Sequence, residues 1–89
     1  MLFIALIKFK KKLTREVAAE NVKDIEDDAK KQVRMLGIYW TLGRYDNVAI
    51  FEAPNEKVAM QMALKRVDRM DIETLVAVPG DTGSPAGPS

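Results

Sequence analysis

Residues 38–54 read IYWTLGRYDNVAIFEAP, and this stretch has the composition of two β-strands joined by a tight turn. β-Branched and aromatic residues, which fit a pleated surface, fill Ile38–Leu42 and Val48–Phe51. The residues between them, Gly43–Asn47, contain the Gly, Asp and Asn that turns favour. The sequence therefore predicts a central β-hairpin, around which the other elements are arranged.

The first nine residues are nearly all apolar, which is typical of a strand covered on both faces. The pattern places two apolar sets on opposite faces, namely Leu2, Ile4 and Leu6 on one and Phe3, Ala5, Ile7 and Phe9 on the other. Such a strand belongs in the middle of a sheet. We interpret the basic residues at 8 and 10–12 as its solvated end, because no glycine-rich loop accompanies them as in a phosphate site.

The spacing of apolar residues after Thr14, a plausible N-cap, predicts a long helix that ends at Leu36, where Gly37 supplies a left-handed stop. The predicted apolar stripe consists of Ala18, Val22, Ile25, Ala29, Val33 and Leu36. We interpret the acidic run Glu26–Asp28 as part of the solvated face, because consecutive helical positions splay around the axis and no other oxygen ligands converge on them.

A second helix is predicted to begin after Asn55, a further plausible N-cap. Its core stripe is expected to be Val58 or Ala59 with Met62, Ala63 and Val67. The alternation over 71–78 indicates a closing strand that Pro79 ends. We predict a single domain over 1–79 and a flexible Gly/Pro/Ser tail over 80–89.

The order strand, helix, strand, strand, helix, strand predicts an α+β ferredoxin-like fold. In that fold a four-stranded antiparallel sheet carries both helices on one face, with the first and third strands central. The other face of the sheet is bare, and at about 400 Å² in projection it matches the largest apolar patches of ordinary monomers. We therefore expect a homodimer that forms through this face, with a ring of dimers as an open alternative.

Composition excludes several classes of function. Fourteen Lys and Arg balance thirteen Asp and Glu, which argues against nucleic acid as a partner. The absence of Cys and His removes thiolate chemistry, the usual proton shuttle and the commonest metal and haem ligand, so we expect no cofactor and no metal. The apolar start is too short to span a membrane and lacks the features of a signal peptide, which predicts a cytoplasmic protein.

Several segments of the hairpin resemble the defining region of the GYD family: Tyr39, Thr41–Gly43, Tyr45–Asp46, Val48–Ile50 and Glu52–Pro54. Residues 73–75 are similar to the last strand of that family. The resemblance implies a dimeric α/β barrel, in which two ferredoxin-like sheets pack together. The wider group includes cofactor-free monooxygenases, isomerases, haem-degrading enzymes and amino-acid-sensing domains, which is only an analogy between folds. Ile38 and Trp40 depart from the family pattern, so a pocket beside them would be particular to this chain.

The turn holds the candidate site. Gly43 and Asp46 have a structural interpretation, because glycine allows a positive φ and aspartate accepts hydrogen bonds from turn amides. On the functional interpretation, Tyr39, Thr41, Tyr45 and Asp46 bind a ligand, and Tyr45 and Asp46 are weak catalytic candidates. The carboxylates of residues 52 and 73 either join them or form salt bridges with residues 34 or 44 at the rim. Trp40 is assigned to packing rather than to ligand stacking.

Three functions are weighed on this basis. The first is a homo-oligomeric protein that binds or senses a small molecule. The alternative is a cofactor-free monooxygenase or isomerase acting on a small organic substrate in the barrel, which a buried carboxylate beside a cavity would favour. The third is an RNA-recognition module, which the sequence disfavours because Phe3 and Phe51 lie among aliphatic residues and the net charge is near zero.

Overall fold

A computed structural model describes residues 1–10, 12 and 14–80. The elements are β1 (Leu2–Phe9), α1 (Arg15–Ala29), β2 (Arg34–Trp40), β3 (Asn47–Glu52), α2 (Glu56–Lys65) and β4 (Met70–Ala77). The strands form one antiparallel sheet in the order β2-β3-β1-β4. This is the predicted ferredoxin-like α+β fold, with β1 and β3 central and β2 and β3 joined as the predicted hairpin. The predicted tail lies, apart from Gly80, outside the described residues.

Both helices begin where the sequence predicts. The Thr14 hydroxyl accepts a hydrogen bond from the Val17 amide at 3.2 Å, and the Asn55 side-chain oxygen accepts one from the Val58 amide at 3.0 Å. Each bond satisfies an amide of the first helical turn that has no partner within the helix. The two predicted N-caps are confirmed.

The predicted end of the first helix at Leu36 is wrong, because α1 ends at Ala29. Gln32 takes a left-handed conformation with φ 67°. The Val33 amide donates to the Asp28 carbonyl at 3.2 Å and the Gln32 amide to the Ala29 carbonyl at 3.2 Å, which is the bonding pattern of a Schellman motif. Val33 thereby leaves the helix and enters the core at the start of β2. The apolar stripe also fails in part, since Ala18, Val22 and Ala29 are exposed.

Gly37 lies within β2 and is not the helix stop that the sequence predicted. The β2–β3 register shifts between Met35 and Gly37, so Leu36 is an extra residue in a bulge. A Cβ atom on Gly37 would lie 2.9 Å from the ring of Tyr39. Glycine at this position therefore lets the Tyr39 ring lie directly against the strand backbone.

The core lies between the sheet and the helices and is built on the stacked rings of Phe3 and Phe51, whose centroids are 5.4 Å apart. On α2, Ala59 and Met62 are buried as predicted, whereas Val67 follows the end of the helix and is half exposed. The molecule is 16 Å thick in its shortest dimension, which corresponds to one layer of strands and one of helices.

The opposite side of the sheet carries no covering element among the described residues. Because Phe3 is 2% exposed beneath the helices, its neighbours of the other parity point away from them. The register aligns Ile4 with Ile50 and Leu75, and Leu6 with Val48. We call this surface the open face, and it comprises Leu2, Ile4, Leu6, Tyr39, Val48, Ile50, Leu75 and Ala77.

Acidic residues of α1 pair with basic residues at and after the end of α2, and we call this group the interhelical cluster. Asp28 accepts hydrogen bonds from Lys65 and Arg66, each at 2.7 Å. Arg69 donates to Glu20 at 2.5 Å and also to Asp24.

The interpretation of Glu26–Asp28 as a solvated run is wrong at Asp28, which is 2% exposed. The reason is helical geometry. Glu20, Asp24 and Asp28 are four residues apart and lie on one side of α1, which faces the basic residues at and after the end of α2. Burial alone would lower the pKa of Arg69, but its hydrogen bond to Asp24 and the surrounding carboxylates raise that pKa above its usual value.

Within the part of the chain that the structure describes, no helix is both long enough and apolar enough to cross a lipid bilayer.

Candidate functional site

A cavity of about 250 Å³ separates the sheet from the two helices. Its wall is almost entirely apolar and includes residues of all four strands and both helices. The lining residues include Ala5, Phe9, Ala18, Asn21, Trp40, Asn47, Ala49, Ala59, Ala63, Arg66 and Thr74. The cavity reaches the surface beside Trp40, which is 68% exposed.

The cavity exists because small side chains face each other across the two layers. Ala5 of β1 and Ala49 of β3 are directly paired in the sheet and point toward the helices. The helices also contribute alanines to the cavity wall, namely Ala18, Ala59 and Ala63. Protein interiors are normally close-packed, so this concentration of methyl side chains leaves a space that the larger residues around it do not fill.

Two aromatic rings lie at the end of the cavity away from the Phe3–Phe51 core. The ring centroids of Phe9 and Trp40 are 5.8 Å apart with the planes tilted by 43°. Trp40 therefore packs against a neighbour, as the sequence suggested, but it does so at the rim of the cavity and remains largely exposed. Its indole both lines the cavity and is exposed to solvent.

Four polar side chains interrupt the apolar wall: Asn21, Asn47, Arg66 and Thr74. Arg66 is already engaged, since it donates to the Met62 carbonyl at 3.0 Å and to the Asp28 carboxylate at 2.7 Å. The side-chain oxygen of Asn21 is buried and has no hydrogen-bond partner among the described residues. The wall thus combines a neutralised cation with an unsatisfied acceptor.

The structure places Asp46 at the junction of the turn and β1. Its carboxylate accepts a hydrogen bond from the Phe9 amide at 2.9 Å, and its own amide donates to the Ile7 carbonyl at 2.8 Å. The sequence-based interpretation assigned this carboxylate to turn amides, whereas the observed partner is the neighbouring strand. Asp46 thereby ties the turn to the end of β1.

The remaining turn residues are held by local bonds. The Thr41 hydroxyl donates to the Tyr45 carbonyl at 2.6 Å, and the Thr41 amide donates to the Asp46 carbonyl at 3.1 Å. Gly43 has φ 115°, a conformation that residues with a side chain rarely adopt. These contacts give the turn a fixed shape.

The side chains of Tyr39 and Tyr45 have different neighbours. Tyr39 lies on the open face over Gly37, while the Tyr45 hydroxyl donates to the Glu73 carboxylate at 2.7 Å. Glu52 forms a salt bridge with Arg34 at 3.7 Å. The cavity wall contains none of Tyr39, Thr41, Tyr45 or Asp46, and their assignment to ligand binding stays a prediction.

We expect the Tyr45 phenol, which is hydrogen-bonded to Glu73, to ionise at a higher pH than free tyrosine. The hydrogen bond to Glu73 is the main cause that raises the pKa of Tyr45, followed by desolvation and the charge of Glu73, against an opposing contribution from Arg44. The bond requires a protonated phenol, so it persists at low and neutral pH and is lost as pH rises through the raised pKa. Ultraviolet titration in a Tyr39→Phe background should show Tyr45 ionising at higher pH than free tyrosine.

The matched variant for this titration is Glu73→Gln in the same background. Because it removes the negative charge and weakens the hydrogen bond, the Tyr45 transition should move to lower pH. An identical transition in both proteins would show that Glu73 does not control this phenol.

Sequence reasoning missed the cavity and its polar groups. The signal that was available is the set of alanines at inward positions of both central strands, repeated on both helices. Asn21 and Arg66 carried no sequence signal, because each is an ordinary polar residue on a helix until the fold brings it to the cavity.

The described residues offer little for metal or acid–base chemistry. No three of their carboxylate, histidine or cysteine side chains converge as a metal site requires. Among the residues that the structure describes, none with a carboxylate side chain and no tyrosine lines the cavity. What the arrangement provides is a largely apolar volume, open to the surface on one side, with the unsatisfied Asn21 oxygen on its wall.

Comparison with curated proteins gives no match for this sequence. In the comparison with family models, the GYD domain model matches residues 3–82. The matched range contains the sheet except for Leu2, both helices and the turn with Gly43, Tyr45 and Asp46. The chain therefore belongs to the GYD domain family.

Proposed function

We propose that this protein binds a small, largely apolar organic molecule in the cavity between sheet and helices, and that it does so as a homodimer. The observation that carries the proposal is the cavity itself, at about 250 Å³ with an apolar wall. An apolar cavity of about 150 Å³ is enough to hold benzene. The volume here therefore suits a molecule of one or two rings, and the rim residues Phe9 and Trp40 offer aromatic contacts to it.

The homodimer is proposed to form through the open face, where a second copy covers the partly exposed aliphatic side chains. The face is about 400 Å² in projection, and covering it contributes on the order of 10 kcal/mol per protomer before the costs of association. Such an interface is self-complementary about a two-fold axis. The charged rim supports it, because the Arg34–Glu52 and Tyr45–Glu73 pairs already satisfy polar groups at its edge.

The two parts of the proposal fit together because they use opposite sides of the same sheet. Ile4 and Ile50 face the proposed partner, while Ala5 and Ala49, the adjacent residues on the same strands, face the cavity. Dimerisation would therefore leave the opening beside Trp40 accessible in each protomer.

A cofactor-free monooxygenase or isomerase acting on a small organic substrate is the alternative. Proton transfer requires a side chain of suitable pKa within hydrogen-bond reach of the substrate. The polar residues of the cavity wall are two asparagines, a threonine and an arginine already paired with Asp28. Asparagine and threonine are not bases at neutral pH, so binding is better supported than catalysis.

The test is titration with N-phenyl-1-naphthylamine, a neutral aromatic probe that fluoresces in apolar surroundings. We expect saturable binding of one probe per protomer, accompanied by a change in emission of Trp40, the only tryptophan of the chain. Ala49→Leu fills the space with a larger side chain and should abolish binding while the protein stays folded.

Ala19→Leu is the matched control, because it makes the same substitution at an exposed position of α1 that does not line the cavity. It should bind the probe as the original protein does. Failure of the original protein to bind, or binding that Ala49→Leu leaves unchanged, would contradict the proposed function.

A further inference from the structure

We infer that the cavity selects a neutral molecule whose ring carries a hydrogen-bond donor, a hydroxyl or an N–H group, and that Asn21 is the residue that recognises it. The inference rests on the proposed function, since it assigns the chemical class of the ligand to the same cavity. It depends on two observations, one on Asn21 and one on Arg66.

The first observation is the unsatisfied oxygen of Asn21. Asn21 lines the cavity, and its side-chain oxygen is buried without a hydrogen-bond partner among the described residues. A buried acceptor without a donor is unfavourable, and native proteins rarely retain one. The last torsion of an asparagine side chain is soft, so a small rotation turns the oxygen toward a donor inside the cavity. A ligand hydroxyl or N–H would satisfy the oxygen.

The second observation is that Arg66, the only cationic side chain among the described residues of the wall, is already paired with a carboxylate. Arg66 is buried, and its guanidinium already donates to the Asp28 carboxylate and to the Met62 carbonyl. An anionic ligand would have to displace Asp28 or enter an apolar cavity without a counter-charge, and both are costly. The wall therefore disfavours carboxylates and phosphates, which leaves a neutral donor as the group that fits.

The experiment compares three ligands of nearly equal size: 2-naphthol, 2-methylnaphthalene and 2-naphthoate. For the original protein we expect 2-naphthol to bind about tenfold more tightly than 2-methylnaphthalene, which corresponds to about 1.4 kcal/mol, the scale of one neutral hydrogen bond. We expect 2-naphthoate to bind no better than 2-methylnaphthalene. Trp40 emission reports all three titrations.

Asn21→Leu replaces the amide with an apolar group of similar size. It should abolish the preference for 2-naphthol and retain the binding of 2-methylnaphthalene, which also shows that the cavity is intact. The melting temperature of the ligand-free variant should not fall and is expected to rise, because an unsatisfied buried polar group is removed. Asn21→Ala provides a second variant with the same expected loss of preference.

The outcomes separate this inference from the proposed function. Equal affinity for 2-naphthol and 2-methylnaphthalene, or a preference that survives both Asn21 variants, would overturn the role of Asn21 while leaving the binding function in place. Tightest binding of 2-naphthoate would overturn the selection of a neutral ligand. Absence of binding by all three ligands and by N-phenyl-1-naphthylamine would overturn the proposed function, and this inference with it.

Discussion

Replacing Asp28 with alanine is expected to lower the free energy of unfolding by about 3–5 kcal/mol, the usual effect of removing one partner from a buried ion pair. Asp28 is the shared acceptor for Lys65 and Arg66, and its own side chain is almost fully buried. Without it, the buried guanidinium of Arg66 loses its 2.7 Å partner and keeps only the Asp24 carboxylate, which lies 4.0 Å from its Nε. Urea denaturation followed by circular dichroism measures the change.

Asp27→Ala is the matched control. Asp27 is adjacent to Asp28 in sequence, but its side chain is 43% exposed and its carboxylate lies 3.9 Å from the Lys30 ammonium. Exposed pairs of this kind contribute little, so the change should stay within about 0.5 kcal/mol of the original protein. The double variant Asp28→Leu/Arg66→Met removes both charges and should regain much of the lost stability. A loss of under about 1 kcal/mol for Asp28→Ala would show that the interhelical cluster is not a buried ion pair in solution.

Substitution of Ile4 by glutamate should convert the proposed homodimer into a monomer. Ile4 lies on a central strand between Ile50 and Leu75, in the middle of the open face. The two-fold symmetry of a homodimer would bring two introduced carboxylates into one desolvated interface, where neither has a counter-charge. Sedimentation velocity over a range of protein concentrations measures the assembly.

Val22→Glu adds the same charge on the exposed side of α1 and should leave the assembly unchanged. Circular dichroism should show that the Ile4 variant keeps its fold, because the introduced carboxylate can reach solvent in the monomer. Phe3→Glu, in contrast, should unfold the chain, since Phe3 is in the core. A dimer that persists in Ile4→Glu, or an original protein that sediments as a monomer at high concentration, would refute assembly through the open face.

Most of the fold was predictable because its signals are local. The hairpin is marked by two β-rich segments around a polar turn, and Thr14 and Asn55 mark both helix starts with side chains that cap amides only a few residues away. The alternation in β1 separated Phe3 from Ile4 and left open which of the two faces the helices cover, which the burial of Phe3 decides. Once the order of elements is known, the handedness of the crossovers leaves few arrangements.

The end of α1 was not predictable from the pattern, because Val33 and Leu36 continue the helical spacing by coincidence. The residue that ends the helix is Gln32 in a left-handed conformation, a position where glycine is the usual signal. Gly37 supplied that signal five positions too late. Tertiary packing, namely the burial of Val33 in the core, determines where α1 ends.

The candidate site was harder to predict because it depends on what surrounds each residue. Asp28 appears as one of three acidic residues in a row, and only the position of α2 distinguishes it from its exposed neighbours. The alanines of the cavity are individually unremarkable in sequence, since Ala is a good helix former and is common in cores. They indicate a cavity only in the folded structure, where the paired Ala5 and Ala49 line the same space as Ala59 and Ala63.

β1 runs from the stacked Phe3–Phe51 pair of the core to Phe9 at the rim of the cavity, so a single strand connects the aromatic core with the open end of the cavity. Directed evolution of the proposed binding function can therefore concentrate on this end, around Phe9 and Trp40, because the Trp40 side chain is largely exposed. The stacked Phe3–Phe51 pair continues to stabilise the core while the residues of the rim are varied.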